Sequence, residues 1–209
     1  MRISTTTLES YRLFMQPDQE WMTEQSLIDT ISGKFVPTEA VLRGKAFGEI
    51  VETPEAYAVP GGYQRGGYSF SAETMAPVFA LIDRRGLFEV KAIRAYGPHD
   101  VVAVADHLLG THLSEFKTTG STFDFDKYAA SCQWKFMADI FDPATITYHV
   151  FPLDDHGNGV VEVKTPESFR LYPYAALHQD CCTLLASFVG YVTAKGLDTL
   201  LNARQQEAA

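Results

Sequence analysis

The stretch at 112–120 reads HLSEFKTTG and places Glu115 and Lys117 two residues apart in a segment patterned as a strand. Successive strand side chains point to opposite faces, so these two share a face. Asp106 lies near the end of the preceding apolar run, DVVAVADHLLG (100–110), across a short turn at Gly110-Thr111. A neighbouring strand can therefore set the Asp106 carboxylate beside that of Glu115. Two carboxylates so placed repel each other unless a cation joins them. Mg²⁺ suits such a pair, because it takes hard oxygen ligands and combines one or two carboxylates with phosphate oxygens and water. A protonated Lys117 cannot ligate the ion, but it can orient a water or offset charge building on a phosphate. The same residues also read as an ordinary strand-edge ion pair, Glu115 with Lys117, beside a solvated Asp106.

The elements that must position these residues follow from the hydrophobic period. Residues 4–15, with Leu8, Tyr11 and Phe14 at helical spacing, predict a helix ended by Pro17. A second helix is expected over 19–31, stopped by Gly33. A third covers 37–53, with Thr38 as its N-cap. Residues 54–71 hold two Gly pairs, two prolines and three tyrosines, which reads as a loop, and 71–85 resumes helix with a kink near Pro77. The period then changes. Segments 87–97, 100–110 and 112–119 predict three strands in a meander. Residues 125–141 predict a helix, since Tyr128, Cys132, Phe136 and Ile140 repeat every four residues. TITYHVFPL and GNGVVEVKTPESFRLY give two further strands, and 174–197 a final long helix. The tail NARQQEAA is expected to fray. The economical reading is one α/β (α+β) domain over 1–209: a helical part to about residue 85, a sheet core over 86–173 with the inserted helix, then the C-terminal helix.

An Asp at the end of one core strand, a turn, Glu-x-Lys on the next and a helix carrying Gln133 together resemble the PD-(D/E)xK nuclease superfamily. The RecB-like and phage-exonuclease branch is the nearest in appearance. The residues that carry the likeness are Asp106 in VAVADHLLG, Glu115 and Lys117 in SEFKTT, and YAASCQWKFM downstream, with ISTTTLESYRLF and LRGKAFGEIVE upstream. The resemblance implies a restriction-endonuclease-like core, a central mixed sheet of about five strands flanked by helices. It implies that Asp106, Glu115 and the backbone carbonyl of Phe116 bind the catalytic Mg²⁺ or Mn²⁺, and that Lys117 positions the attacking water. Glu49 would be an extra acid from the third helix. Gln133 would steady the lysine or contact nucleic acid, with Tyr128 beside it. The branch often has His or Glu four residues after a helical Gly; here Gly48 follows Gly44 and cannot ligate, which leaves Glu49 or Glu52 to substitute. Iron–sulfur members need four clustered cysteines, and only Cys132, Cys181 and Cys182 occur, so no cluster is expected.

The remaining candidates divide between site and scaffold. Arg43 and Lys45 flank the third helix, and Lys127 and Lys135 lie eight residues apart on an expected common face. Each can meet phosphates or simply solvent. Tyr63, Arg65 and Tyr68 lie in GGYQRGG, which lacks the Lys-Ser/Thr of a phosphate loop but can stack on nucleic acid, or else form a solvent loop. His107 and His112 point away from the Asp106 and Glu115 face. No histidine shows zinc-ligand spacing, and zinc is not expected.

Composition narrows the partners. With 26 acidic and 17 basic residues the net charge is -9, so nucleic acid would need a local basic groove or metal ions at the site. An odd cysteine count with Cys181 and Cys182 adjacent suits a reducing compartment. No secretory leader pattern opens the chain, and no apolar run approaches a membrane span. A cytoplasmic protein is therefore expected, and the resemblance implies a bacterial cell or phage-infected host. The implied activity is metal-dependent DNA hydrolysis, first as an exonuclease on DNA ends in phage-type recombination, repair or replication. A recombinase or single-strand-binding partner and a homo-oligomer would accompany it. A structure-selective endonuclease or a non-catalytic nucleic-acid-binding module would carry the same fold.

Overall fold

A computed structural model describes residues 1–19, 21–120 and 122–201. The tail expected to fray, 202–209, lies outside them. The chain begins with a short strand the hydrophobic period does not reveal, β1 (Arg2–Ser4), which pairs parallel with a strand some hundred residues later. Ser4 then caps α1 (Thr5–Phe14), its Oγ accepting from the Thr7 N–H at 3.1 Å. Thr23 caps α2 (Glu24–Ser32) and Thr38 caps α3 (Glu39–Glu52), each accepting from the backbone N–H three residues on.

The expected loop over 54–71 is instead a short helix, α4 (Pro54–Tyr57), and three strands, β2 (Ala58–Val59), β3 (Gly62–Arg65) and β4 (Tyr68–Ser71). Gly61, Gly66 and Gly67 adopt positive φ and form the hairpin turns, while Tyr68 and Phe70 alternate inward. The glycines that suggest a loop are the corners between strands. Helix α5 (Ala72–Leu81) follows, with Pro77 inside it.

The meander is present as β5 (Leu87–Tyr96), β6 (His99–Leu109) and β7 (His112–Thr119), all antiparallel. The helix expected over 125–141 is broken into α6 (Phe125–Ala129) and α7 (Gln133–Phe141). Ser131 Oγ takes the Gln133 N–H at 3.1 Å, and Glu9 takes the Cys132 N–H at 2.7 Å, so the break is stabilised by side chains that satisfy its backbone donors. β8 (Thr145–Asp155) follows, and the last expected strand splits at Pro166 into β9 (Val160–Val163) and β10 (Glu167–Leu171). Helix α8 (Leu177–Ala194) closes the described elements.

The strands join one mixed sheet in the order β1-β6-β7-β8-β9-β4-β3-β2, with β5 beside β6 and β10 beside β8. Ten strands, rather than about five, arise because the segment read as loop holds β2, β3 and β4, one expected strand divides into β9 and β10, and β1 lies at the start of the chain before the expected first helix. Helices cover both faces of β8. Ile146, Tyr148 and Val150 pack with Trp134, Met137 and Ala138 of α7, while Phe151 and Leu153, of the opposite parity, pack with Phe47, Ile50 and Val51 of α3. A third cluster joins Leu8 and Tyr11 of α1 to Leu185, Phe188 and Val192 of α8. Among the described residues no helix is long and apolar enough to cross a membrane.

Helix α3 approaches β7 closely at Gly44, where a Cβ would meet Thr118 Oγ1 at 2.6 Å. Replacing this glycine by alanine gains about 1 kcal/mol of helix propensity but crowds the contact by about 1–3 kcal/mol. Gly44→Ala is therefore expected to destabilise the protein in urea unfolding, and to stabilise it by about 1 kcal/mol in a Thr118→Ala background, where the hydroxyl is gone. The same sign in both backgrounds would show that the close approach does not set the helix position.

Candidate active site

β6 and β7 keep their ladder only from the turn up to His107↔Ser114. The next positions in that register are Asp106 and Glu115, and there the strands part. The Phe116 N–H donates to Asp106 Oδ2 at 2.5 Å across the opening. On the other side of β6 the register Phe88↔His107 and Val90↔Ala105 sets Glu89 opposite Asp106. Three acids, Glu89, Asp106 and Glu115, thus lie in a row across three strands. Glu89 carries φ 51°, a left-handed conformation that costs a non-glycine residue about 1 kcal/mol or more.

Glu115 is 2% exposed and is the most buried acid of the row. Its Oε1 accepts from Lys117 Nζ at 2.6 Å and from Gln133 Nε2 at 2.8 Å, and Lys117 Nζ also donates to Gln133 Oε1 at 2.9 Å. The three side chains close a triangle. Glu115 Oε2 is buried and has no hydrogen-bond partner among the described residues. Burial would lower the Lys117 pKa, but the Glu115 and Asp106 carboxylates outweigh it and raise it. Burial, reinforced by the Glu115 charge, holds the Asp106 carboxyl well above the usual carboxylate range, against the opposing pull of Lys117 and the Phe116 N–H.

A cavity of about 660 Å³ opens over this row, lined by Asp106, Lys117, Glu49, Glu52 and Glu89. Glu52 hydrogen-bonds Glu89, and burial together with the Glu89 and Glu49 carboxylates pushes its pKa up to about 7. Glu49 lines the same cavity but is ion-paired to Arg65 and lies 4.0 Å from Lys45. A Cβ at Gly48 would meet nothing within 4 Å, so the position four residues after Gly44 has room for a side chain. A second cavity, of about 670 Å³, lies on the other side of Lys117 and is lined by Glu9, Arg12, Lys127, Tyr128 and Gln133.

The donor set fits a hard divalent cation. Asp106, Glu115 and the Phe116 carbonyl come from adjoining strand positions, an orphaned carboxylate oxygen is buried beside them, and Glu52 and Glu89 supply further anionic oxygen. Asp154, His156 and the half-buried Glu162 form a separate group whose ligand atoms lie within 4.8 Å of one another, a juxtaposition that histidine spacing does not reveal. Lys164 already neutralises it, at 3.4 Å from Asp154 and 2.8 Å from Glu162.

The basic candidates are dispersed. Arg43 pairs with Asp155, and Lys135 lies 3.4 Å from Asp180. Lys127 and Lys135 do not share a helix face, because the break at 130–132 separates α6 from α7. Tyr128 is buried, 8% exposed, with its ring 6.0 Å from that of Tyr148. Arg65 stacks over Tyr57 at 5.0 Å in the β-hairpin region. Glu89 escaped the sequence reading because an acid on an alternating strand looks solvated; only strand register places it beside Asp106. His107 is buried, with Nε2 2.9 Å from the Asp83 carbonyl.

No protein-family model matches the chain, and none of the curated proteins does. Solved structures share its fold. An alkaline exonuclease from Laribacter hongkongensis, LHK-Exo, aligns at TM-score 0.52 and 13% identity over 99% of this chain and 93% of its own. The complex of LHK-Exo with dAMP aligns at TM-score 0.53 with the same identity and coverage. A candidate exonuclease from Eubacterium rectale aligns at TM-score 0.53 and 10% identity over 97% of this chain and 82% of its own. The chain shares the mixed α/β fold of these structures, a central mixed sheet flanked by helices.

The Glu52 titration has a checkable sign. Its folded-state pKa lies above the ordinary 4.5, so its contribution to stability is present at low pH and is lost as pH rises through about 7. In EDTA, Glu52→Gln is expected to raise Tm relative to wild type at pH 8 and to leave it nearly unchanged at pH 4. An equal offset at both pH values would contradict the shared-acid geometry.

Proposed function

We propose that the protein is a metal-dependent deoxyribonuclease that processes DNA ends as an exonuclease, of the kind used in phage-type recombination, repair or replication. The observation that carries this reading is the acid row Glu89–Asp106–Glu115, set against a lysine already fixed by Glu115 and Gln133. Asp106, Glu115 and the Phe116 carbonyl would hold Mg²⁺ or Mn²⁺, with Glu52 and Glu89 as the further acids and Glu49 held in reserve by Arg65. A divalent ion bound there supplies Lewis acidity toward the scissile phosphate.

The protein's own groups do the rest. Lys117 Nζ orients the attacking water and offsets negative charge as phosphorus is attacked in line. Gln133 holds Lys117 by its amide oxygen and Glu115 by its amide nitrogen, so the ammonium cannot swing away. Lys117 lines both cavities, which lets a strand of DNA pass from the acid row toward Lys127 and Tyr128. Arg43, Lys45 and Arg65 meet phosphates by exchanging their present acid partners, a substitution that keeps binding weak at high salt. The exonuclease names of the structures sharing the fold, one of them holding dAMP, support an end-processing reaction over internal cleavage.

The test is digestion of end-labelled linear duplex and of closed circular DNA with Mg²⁺, Mn²⁺ or EDTA. Linear DNA is expected to be lost only with metal, closed circles to survive, and Lys117→Ala and Asp106→Asn each to lower the rate by at least about a hundredfold. Both variants should keep the wild-type far-UV circular dichroism. Cleaved circles would establish an endonuclease. Wild-type rates in folded Lys117→Ala, or DNA binding without turnover in any metal, would remove the proposed mechanism.

A further inference from the structure

A second cluster of reactive side chains lies on α7 and α8, outside both cavities described above. Asp139, at the end of α7, is buried and accepts from Tyr96 Oη at 2.5 Å, and it pairs with Arg94 at 3.2 Å. Its Oδ2 also lies 2.9 Å from His178 Nδ1. Because a carboxylate only accepts, Nδ1 carries the proton and the Nε2 lone pair is left free. Nε2 points at Cys182 Sγ, 3.5 Å away and one helical turn along α8. The Tyr96 ring stacks on the imidazole at 5.7 Å and 19°, which fixes its plane. Nucleophile, base and orienting acid are thus in sequence, the arrangement that activates a thiol.

The cluster borders a recess. A cavity of about 530 Å³ between β5 and α8 is lined by Cys182, His178, Leu185, Ala186, Val189 and Gly190. His99 also borders it, with a buried Nδ1 that has no hydrogen-bond partner among the described residues. Its walls are mostly apolar, and His99, His178 and Cys182 bring polar side chains to it. The other two thiols differ. Cys132 and Cys181 are buried, and burial pushes the Cys181 thiol up to about 12. Cys182 is the partly exposed one.

We propose that Cys182, His178 and Asp139 form a second, thiol-based site that accepts an acyl group from a medium-chain acyl thioester, the chain lying in the recess between β5 and α8. Cys182 Sγ attacks the thioester carbonyl while its proton passes to His178 Nε2. The new S–C bond forms, the donor's C–S bond breaks, and the leaving thiolate takes the proton from His178. The products are S-acylated Cys182 and a free thiol, with no change in oxidation state. The apolar recess selects the chain, and the small Gly190 leaves it room.

The test uses the full chain with the octanoyl and acetyl thioesters of N-acetylcysteamine, followed by intact-mass and peptide mass spectrometry. The octanoyl group is expected on Cys182, absent from Cys132 and Cys181, and absent from Cys182→Ser. His178→Gln, at a side chain 55% exposed, keeps the fold and is expected to slow transfer by about a hundredfold. Octanoyl should transfer at least about tenfold faster than acetyl, since its extra methylenes leave water. Gly190→Leu, whose side chain enters open space, should remove that preference and spare acetyl transfer. Absence of an adduct, labelling spread evenly over the three cysteines, an unchanged rate in His178→Gln, or acetyl reacting as fast as octanoyl would each overturn the proposal.

Discussion

The buried carboxylate of Glu115 is the constraint around which the rest is arranged. A charge almost wholly removed from water costs several kcal/mol unless partners compensate it. Lys117 reaches it from the same face of β7, and Gln133 reaches it from the first turn of α7. The N-cap residue Cys132 caps nothing with its own side chain; Ser131 takes the Gln133 N–H, and Glu9 of α1 takes the Cys132 N–H. Burial would raise the Glu9 pKa, but Arg12 and the Cys132 N–H lower it below the usual carboxylate range, which keeps an anion at the start of α7. A chain of polar contacts therefore runs from the first helix to the lysine.

The acids are gathered by register. Antiparallel pairing aligns Glu89 with Asp106, and the parting of β6 from β7 leaves Asp106 and Glu115 facing a gap that ladder hydrogen bonds no longer fill. Among the described residues Lys117 is hydrogen-bonded to Glu115, and the rest of the crowding is relieved by protons, which is why the Asp106 and Glu52 carboxyls are held up. Under the proposed function a bound cation would replace those protons and let an acidic protein meet a polyanion without a broad basic face. Close approach at Gly44 brings α3 and its acids over the same gap.

The central strands and the Asp106, Glu115 and Lys117 set are legible because strand alternation and a short turn leave little freedom. The first, third and fifth helices are legible because apolar spacing and hydroxyl caps coincide. The hairpins over 58–71 are not, since glycines at positive φ serve loops and hairpin corners alike. The break between α6 and α7 is stabilised by Glu9, more than a hundred residues away, which no local pattern contains. Glu89 becomes significant only through its partner strand. The basic residues show the same limit: Arg43 and Arg65 look available in sequence, yet the fold brings Asp155 and Glu49 to them, whereas the Lys45 approach to Glu49 is an i,i+4 helix spacing already present in the sequence.

The two ends of the described chain are bound to each other. Tyr11 on α1 bonds Ser187 at 2.8 Å, and Lys195 pairs with Glu24 at 2.6 Å. During synthesis the first helix can pack at once on Leu27 and Ile31 of α2, but the α8 side of its cluster, Leu185, Phe188 and Val192, is made some 170 residues later. Because the first helix also supports the start of α7 through Glu9, the lysine–glutamine contact gains its full support only when α1, α7 and α8 are packed together. A core made only as far as β7 would hold its acids before α7 is there to hold its lysine in place. Such non-local closure slows folding, and it makes the Glu115–Lys117–Gln133 triangle depend on elements far apart in sequence.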